Sequence, residues 1–201
     1  MNLDAIREKI GYQPVLLGAV ALLASAALAV ASSSTSAAIA AAEAKDLRDS
    51  LSEVLPAGLA DNDFLKDTVD LKNGEKMVTI YRARKEGVVK AALFKVAERG
   101  YAGEIQVLMA VDSDGRTLGV RVLKHSETPG LGDKIEVKKD SWVKSFDGKS
   151  LGDPAPEKWA VKKDGGIFDQ FAGATITPRA VVKAVKGGMD FFTAHKAEIT
   201  G

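Results

Sequence analysis

The N-terminal part of the chain contains a long stretch without a charged side chain, and this stretch limits what the chain can fold into. It covers residues 11–42, and its most apolar portion is residues 14–31. As a helix, these eighteen residues are about 27 Å long, at about 1.5 Å per residue. That length is close to the thickness of the hydrocarbon core of a bilayer. The stretch therefore predicts one transmembrane helix.

A cleaved signal peptide is the alternative interpretation of the same stretch. Residues 29–31 are Ala-Val-Ala, which is the small-x-small pattern of a cleavage site. The apolar run is nevertheless longer than a usual signal core, and the polar leader before it contains the acids Asp4 and Glu8. These two features favour the anchor.

The basic residues Arg7 and Lys9 indicate which side of the membrane the short N-terminal end occupies. Basic flanks stay in the cytoplasm, so we expect a single pass through the cell inner membrane and a soluble domain on the periplasmic side. Leu51 and Val54 belong to an apolar helical stripe that is expected to end before Pro56. The expected segments are a cytoplasmic N-terminus (1–10), a transmembrane helix (11–34), a connecting helix (35–58) and a periplasmic domain (59–201).

Composition excludes several classes of function. The 28 basic and 27 acidic side chains leave a net charge of +1, so no nucleic-acid partner is expected. The absence of cysteine excludes disulfides, iron–sulfur ligation and thiol attachment of a cofactor. With His125 and His195 as the two histidines, no metal site is expected. Any redox chemistry must come from a cofactor held through oxygen and nitrogen groups.

Alternating apolar residues in the middle of the chain predict two β-hairpins. The expected fold class is α+β, an antiparallel sheet with packed helices. Residues 133–146 are expected to be mostly helical, with Trp142 as a core anchor, and Trp159 is expected in the core as well. The predicted strands are residues 77–83, 88–97, 105–111 and 117–123.

A C-terminal amphipathic helix follows, with Thr177 as its predicted N-cap and Pro178 as its first residue. Thr175 lies just before that start, after the small residues Gly173 and Ala174. Its hydroxyl is therefore expected near free backbone N–H groups and the positive end of the helix dipole, which favour a phosphate. The simpler interpretation is a turn residue. The apolar face of the helix consists of Val181, Val182, Val185, Met189 and Phe192.

The segment from Asp169 to Thr175, Asp-Gln-Phe-Ala-Gly-Ala-Thr, resembles a bacterial flavoprotein signature, Asp-x-x-(Ser/Thr)-Gly-Ala-Thr. That family carries FMN through a phosphoester to the last threonine. It includes the G subunit of the Rnf (Rsx) electron transport complex and the C subunit of the sodium-pumping NADH:quinone reductase. The resemblance implies covalent FMN on Thr175, attached by a flavin transferase that recognises Asp169 and uses FAD as donor. Ala172 departs from the signature, which usually has a hydroxyl residue there.

Residues 125–132, His-Ser-Glu-Thr-Pro-Gly-Leu-Gly, follow a predicted strand and are dense in turn formers. They resemble a loop of the same family that covers the FMN. The resemblance implies that Glu127 and Thr128 bond ring or ribityl oxygens and that Leu131 lies against the isoalloxazine. The FMN-binding residues it implies are Glu127, Thr128, Leu131, Gly132, Gly173, Ala174, Thr175, Ile176 and Thr177.

Three further residues have both a structural and a functional interpretation. Residues 100–103 match the family pattern Gly-Tyr-x-Gly, and a tight turn with a packed aromatic explains Tyr101 equally well. Lys162 and Lys163 precede the signature and are expected either to neutralise the phosphate or simply to be solvated.

The resemblance implies a membrane-anchored covalent flavoprotein that carries electrons within a multisubunit complex and has no complete active site of its own. That complex couples electron transfer to ion translocation across the inner membrane. Its other subunits are expected to contact the anchor at its small residues, which are Gly18, Ala19, Ala26 and Ala29.

Three alternatives remain. The first is the C-type subunit of the sodium pump, and the second is a membrane-tethered assembly module without redox chemistry. The third is a periplasmic hydrolase that uses His125 with Glu127, although no Gly-x-Ser-x-Gly elbow is present. No Gly-x-Gly-x-x-Gly segment is present either, so NADH turnover by this chain alone is not expected.

Overall fold

The computed structural model describes residues 12–201, which belong to two compact units with their boundary between Leu47 and Arg48. In the first unit the described residues form helix α1, which spans Tyr12–Glu53 and ends within the second unit. The prediction of a helix long and apolar enough to cross a membrane, near the N-terminus, is thereby confirmed. Residues 1–10, predicted to be a cytoplasmic N-terminus, lie outside the described residues.

Helix α1 continues without a break through its serine-rich stretch. The hydroxyls of Ser33, Ser34, Thr35 and Ser36 donate to carbonyls three or four residues back, at 2.8–3.3 Å. Because the hydroxyls find acceptors within the helix itself, they do not bond the backbone in a way that would end it. The helix ends at Glu53, shortly before Pro56.

The second unit is built on a five-stranded antiparallel sheet in which each strand pairs with the next. The two predicted hairpins, and with them the α+β class, are confirmed. A two-residue turn, Glu86 and Gly87, joins the second and third strands, and both residues have positive φ, as a tight hairpin requires. The strands are β1 (Thr68–Asn73), β2 (Lys76–Lys85), β3 (Val88–Arg99), β4 (Glu104–Asp112) and β5 (Thr117–Lys124).

Helix α2 (Ile176–Thr200) packs on one face of the sheet. Phe94 and Met109, paired across β3 and β4, lie beneath it, and Phe191 meets Phe94 edge-on with ring centroids 5.7 Å apart. Trp142 and Trp159 are 8% and 5% exposed and extend this core, as expected for anchors.

The end of α1 lies on the second unit's own core. Leu51 is fully buried, Val54 is 2% exposed, and the backbone of Val54 lies so close to Gly119 that a Cβ there would stand 2.8 Å from the Val54 carbonyl oxygen. Arg121 donates to the Glu53 carbonyl at 3.1 Å. Residues 48–54 are therefore part of this domain.

The prediction of a mostly helical segment over residues 133–146 is wrong. Two short 3₁₀ helices stand there, Gly132–Ile135 and Trp142–Phe146. Glu136 adopts an extended conformation with ψ 130°, which ends the first, and the Asp140 carboxylate accepts the Trp142 N–H at 2.8 Å before the second. A side chain that bonds the local backbone competes with helix formation in this way.

Candidate functional site

The site is built around the start of α2, which differs from the prediction by two residues. Ile176 is the first helical residue and Thr175 occupies the N-cap position, so the prediction that Thr177 caps the helix is wrong. Thr177 lies in the first turn, where its hydroxyl donates to the Glu127 carboxylate instead. Pro178 fits there because N–H groups of the first turn need no partner within the helix.

Thr175 presents an unused hydroxyl at this helix end. It is half-buried, and within residues 12–201 its hydroxyl makes no hydrogen bond. The backbone N–H groups of Thr175, Ile176 and Thr177 also have no acceptor in the described part of the chain. A hydroxyl and three amide donors therefore stand together at the positive end of the helix dipole, an arrangement suited to a phosphate group.

A cavity of about 510 Å³ opens beside Thr175, large enough for a ligand of nucleotide size. All nine residues predicted to bind FMN line it, and Tyr101 is the tenth lining residue. The fold thus brings together three segments that are far apart in sequence: residues 100–103, residues 125–132 and the start of α2. The lining residues are Tyr101, Glu127, Thr128, Leu131, Gly132, Gly173, Ala174, Thr175, Ile176 and Thr177.

The cavity has an apolar outer wall. Tyr101, Leu131 and Ile176 are 69%, 44% and 47% exposed, which is high for such large apolar side chains. Exposed apolar residues around a concave site usually mark a surface that a ligand or partner covers. With amide donors at one end and apolar walls beside them, the cavity fits a flat aromatic group that carries an anion.

The inner wall is polar and buried. Glu127 is 4% exposed, and one of its carboxylate oxygens accepts the Ala102 N–H at 3.0 Å while the other accepts the Thr177 hydroxyl. Glu127 thus connects the three segments. Its predicted hydrogen bond to a flavin stays a prediction, as do the roles of the other lining residues.

His125 is engaged elsewhere. Its Nε2 lies 3.1 Å from the Glu136 carboxylate, and its Nδ1 accepts the Glu127 backbone N–H at 3.1 Å. The Glu127 carboxylate does not contact His125, so the pair required by the hydrolase alternative is not assembled. Among residues 12–201 no group of three or more acidic, histidine or cysteine side chains is placed to hold a metal.

The residues upstream of the cavity lie at the surface. The exposed Asp169 carboxylate pairs with Lys162 at 2.6 Å, and neither residue lines the cavity. A second exposed pair joins Asp164 to Arg179 through two hydrogen bonds of 2.6 Å, and the Arg179 hydrogen bond lowers the pKa of Asp164. Ala172 is exposed as well. Asp169, Gln170 and Ala172 of the signature therefore face outward, whereas Phe171 between them is buried against Trp142.

Residues 100–103 contribute more to the cavity than their sequence predicted. Tyr101 lines the cavity and the Ala102 amide holds Glu127, so this segment belongs to the site. The Gly-Tyr-x-Gly pattern was the signal for it, and a tight turn is present as well, closed by the Gly100 N–H donating to the Gly103 carbonyl at 2.7 Å.

The sequence is similar to a described domain family and to curated proteins. Residues 100–190 match the FMN-binding domain family. The G subunit of the ion-translocating oxidoreductase complex of Cereibacter sphaeroides is 51% identical over 186 residues, covering 92% of this chain and 85% of that protein. The protein of the same name from Pseudomonas aeruginosa is 46% identical over 201 residues, covering 97% of this chain and 94% of the relative.

The fold also has a counterpart among solved structures. The crystal structure of NqrC from Shewanella oneidensis matches with a TM-score of 0.50 at 23% sequence identity, covering 71% of this chain and 72% of that one. At this identity the likeness concerns the fold alone.

Proposed function

The chain belongs to the family of G subunits of the ion-translocating oxidoreductase complex, and from this premise we propose that it is an FMN-carrying subunit that relays electrons within such a complex. The match to FMN-binding domains covers residues 100–190, which include all ten residues that line the cavity. The observation that carries the proposal is the free Thr175 hydroxyl beside unpaired amide donors in that cavity.

The proposal includes a phosphoester between FMN and Thr175. A threonine hydroxyl is a weak nucleophile, and no side chain in the described part of the chain accepts its proton. Attachment therefore requires a separate flavin transferase that uses FAD as donor. The outward-facing Asp169 is part of the sequence that this enzyme recognises. When bound, FMN supplies the redox chemistry.

The chain's own residues position and shield that group. The N–H groups of Thr175, Ile176 and Thr177 hold the phosphate, while Tyr101 and Leu131 cover apolar surface of the ring system. A covalent tether retains the cofactor where no cytosolic pool can replace it. This suits a domain on the periplasmic side of the inner membrane, which is the location we propose.

Helix α1 supplies the membrane anchor in this proposal. Residues 11–34 lie in the bilayer and the residues after them lead to the FMN-binding domain, which comprises residues 48–201 because residues 48–54 pack on its core. Small residues of the span allow close packing against helices of other subunits. Relatives at 46–51% identity that are named as G subunits favour this type over the C-type subunit of the sodium pump.

Replacement of Thr175 tests the proposal. Thr175→Ala is expected to remove all flavin that survives denaturation, while Thr175→Ser keeps the hydroxyl and is expected to retain flavin. In-gel fluorescence of the full chain, coexpressed with a flavin transferase, measures both. Denaturation-resistant flavin on the Thr175→Ala chain would overturn the assignment.

A further inference from the structure

The Glu127 carboxylate is the point where the three segments of the cavity are joined. It accepts the Ala102 amide from the turn at 100–103 and the Thr177 hydroxyl from the first turn of α2. At 4% exposure it is buried, and both partners are hydrogen-bond donors. A buried carboxylate satisfied in this way fixes the positions of its donors, because losing either contact leaves a buried charge underbonded.

Two glycines make room for this contact. A Cβ at Gly100 would lie 2.5 Å from a Glu127 carboxylate oxygen. A Cβ at Gly132 would lie 2.9 Å from both the Glu127 Cβ and the Thr177 hydroxyl oxygen. Any side chain at Gly100 or Gly132 would crowd Glu127, so both positions need a glycine for Glu127 to keep its two contacts.

The contact distinguishes two threonines that are only two residues apart. Thr177 is 1% exposed and its hydroxyl is bound to Glu127, whereas Thr175 is half-buried and its hydroxyl has no partner within residues 12–201. Both line the same cavity and both follow Gly173. Without Glu127 the cavity would offer two acceptors for a phosphoester.

We propose that Glu127 is the positioning residue that selects Thr175 as the attachment site by withholding the Thr177 hydroxyl. This inference rests on the proposed function. In the transfer step the Thr175 oxygen bonds the flavin-side phosphorus of FAD, the phosphoanhydride bond breaks, AMP leaves and the hydroxyl proton is released. Glu127 takes no part in that bond exchange. It determines which hydroxyl is available.

The test is localisation of the flavin in Glu127 variants of the full chain, coexpressed with a flavin transferase. Trypsin releases residues 164–179 as one peptide that contains both threonines, and fragment ions distinguish Thr175 from Thr177. In Glu127→Ala the Thr177 hydroxyl loses its charge-assisted hydrogen bond and becomes available. Roughly a tenth or more of the flavin is therefore expected on Thr177. Glu127→Gln is the matched control, because its amide can still bond both partners, and it is expected to keep the flavin on Thr175.

Two further variants keep the result decisive. Glu127→Asp keeps the charge but shortens the side chain, so it is expected to shift a smaller share of flavin even if Glu127→Ala does not fold. Combining Thr175→Ala with Glu127→Ala is expected to restore fluorescence through Thr177, which loss of structure alone would not produce. Flavin found exclusively on Thr175 in both Glu127→Ala and Glu127→Asp would overturn the inference. A dark wild-type chain would instead overturn the proposed function itself.

Discussion

Gly173 shows how the backbone at a single residue positions the candidate attachment site. Its φ of +78° lies in the left-handed region, which residues with a Cβ adopt at a cost. The turn it completes is closed by the Ala174 N–H donating to the Phe171 carbonyl at 3.2 Å, and it delivers Thr175 to the start of α2. The glycine is therefore required by conformation, since a Cβ there would make only an ordinary 3.5 Å contact with Leu131.

Gly173→Ala is expected to destabilise the fold by about 1 kcal/mol and to lower the flavin content by displacing Thr175. Gly115→Ala is the control, because Gly115 has a similar φ of +86° in an open hairpin turn. Thermal unfolding and flavin fluorescence per chain measure the two effects. Equal flavin content in the two variants would show that the Gly173 conformation does not position Thr175.

At the scale of single residues, the region of the site was predictable from the sequence but its hydrogen bonds were not. The residues that line the cavity were predictable because they lie in short motifs. The role of Thr177 was not, because a threonine before a proline at a helix start is a good N-cap by local rules. Its partner, Glu127, lies fifty residues away, and a tertiary contact of that kind leaves no local signal.

Helix α2 lies close against the sheet at Gly188. A Cβ there would collide with the Met109 sulfur and lie 3.0 Å from a Val96 methyl carbon, whereas a Cβ at the adjacent Gly187 would meet nothing within 4 Å. An added methyl group would therefore clash at Gly188 but fit at Gly187, a difference that the sequence Gly-Gly does not reveal.

We expect Gly188→Ala to destabilise the full chain by about 1–3 kcal/mol through overpacking. Gly187→Ala is expected to stabilise it by about 0.5–1 kcal/mol, because alanine favours a helix interior. Thermal unfolding in detergent micelles compares the two. A lower unfolding temperature for Gly187→Ala than for Gly188→Ala would contradict the packing of α2 described above.

The elements themselves were partly predictable. The alternating pattern found four strands, but β1 was missed, even though Asn73-Gly74 at its end is a strong hairpin signal and Val69 and Leu71 alternate before it. Residues 133–146 have apolar spacing that suits an α-helix. The extended Glu136 and the Asp140 carboxylate, which bonds the Trp142 N–H, explain why two short 3₁₀ helices form there instead of one continuous helix.

Asp67 and Asn62 hold residues 62–67, which precede the sheet, against strand β2. Its carboxylate accepts the Nε–H groups of Arg82 and Arg84, each at 2.6 Å, and Asn62 accepts the Arg84 amide at 2.8 Å. Burial raises the pKa of Asp67, but the hydrogen bonds from Arg84 and Arg82 outweigh it and hold that pKa below the ordinary 3.8. A depressed carboxyl pKa stabilises the fold above the ordinary value, and this contribution is lost as the pH falls through the folded-state pKa.

Asp67→Asn is therefore expected to lower the free energy of unfolding at neutral pH by about 1–3 kcal/mol. The difference from wild type should narrow as the pH falls below 3.8, where the wild-type carboxylate also becomes protonated. Asp190→Asn serves as control, because Asp190 is exposed and its side chain forms no ion pair or hydrogen bond among residues 12–201. Thermal unfolding at several pH values measures the difference, and a gap between Asp67→Asn and wild type that persists at low pH would contradict this role.

The attachment of FMN to Thr175 is tested most directly by mass spectrometry of the wild-type protein from membranes that contain a flavin transferase. The tryptic peptide of residues 164–179 is expected to gain the mass of FMN less one water, with fragment ions placing it on Thr175. The same band should fluoresce after denaturing electrophoresis. An unmodified peptide from a dark band under these conditions would contradict the proposal that this chain carries FMN on Thr175.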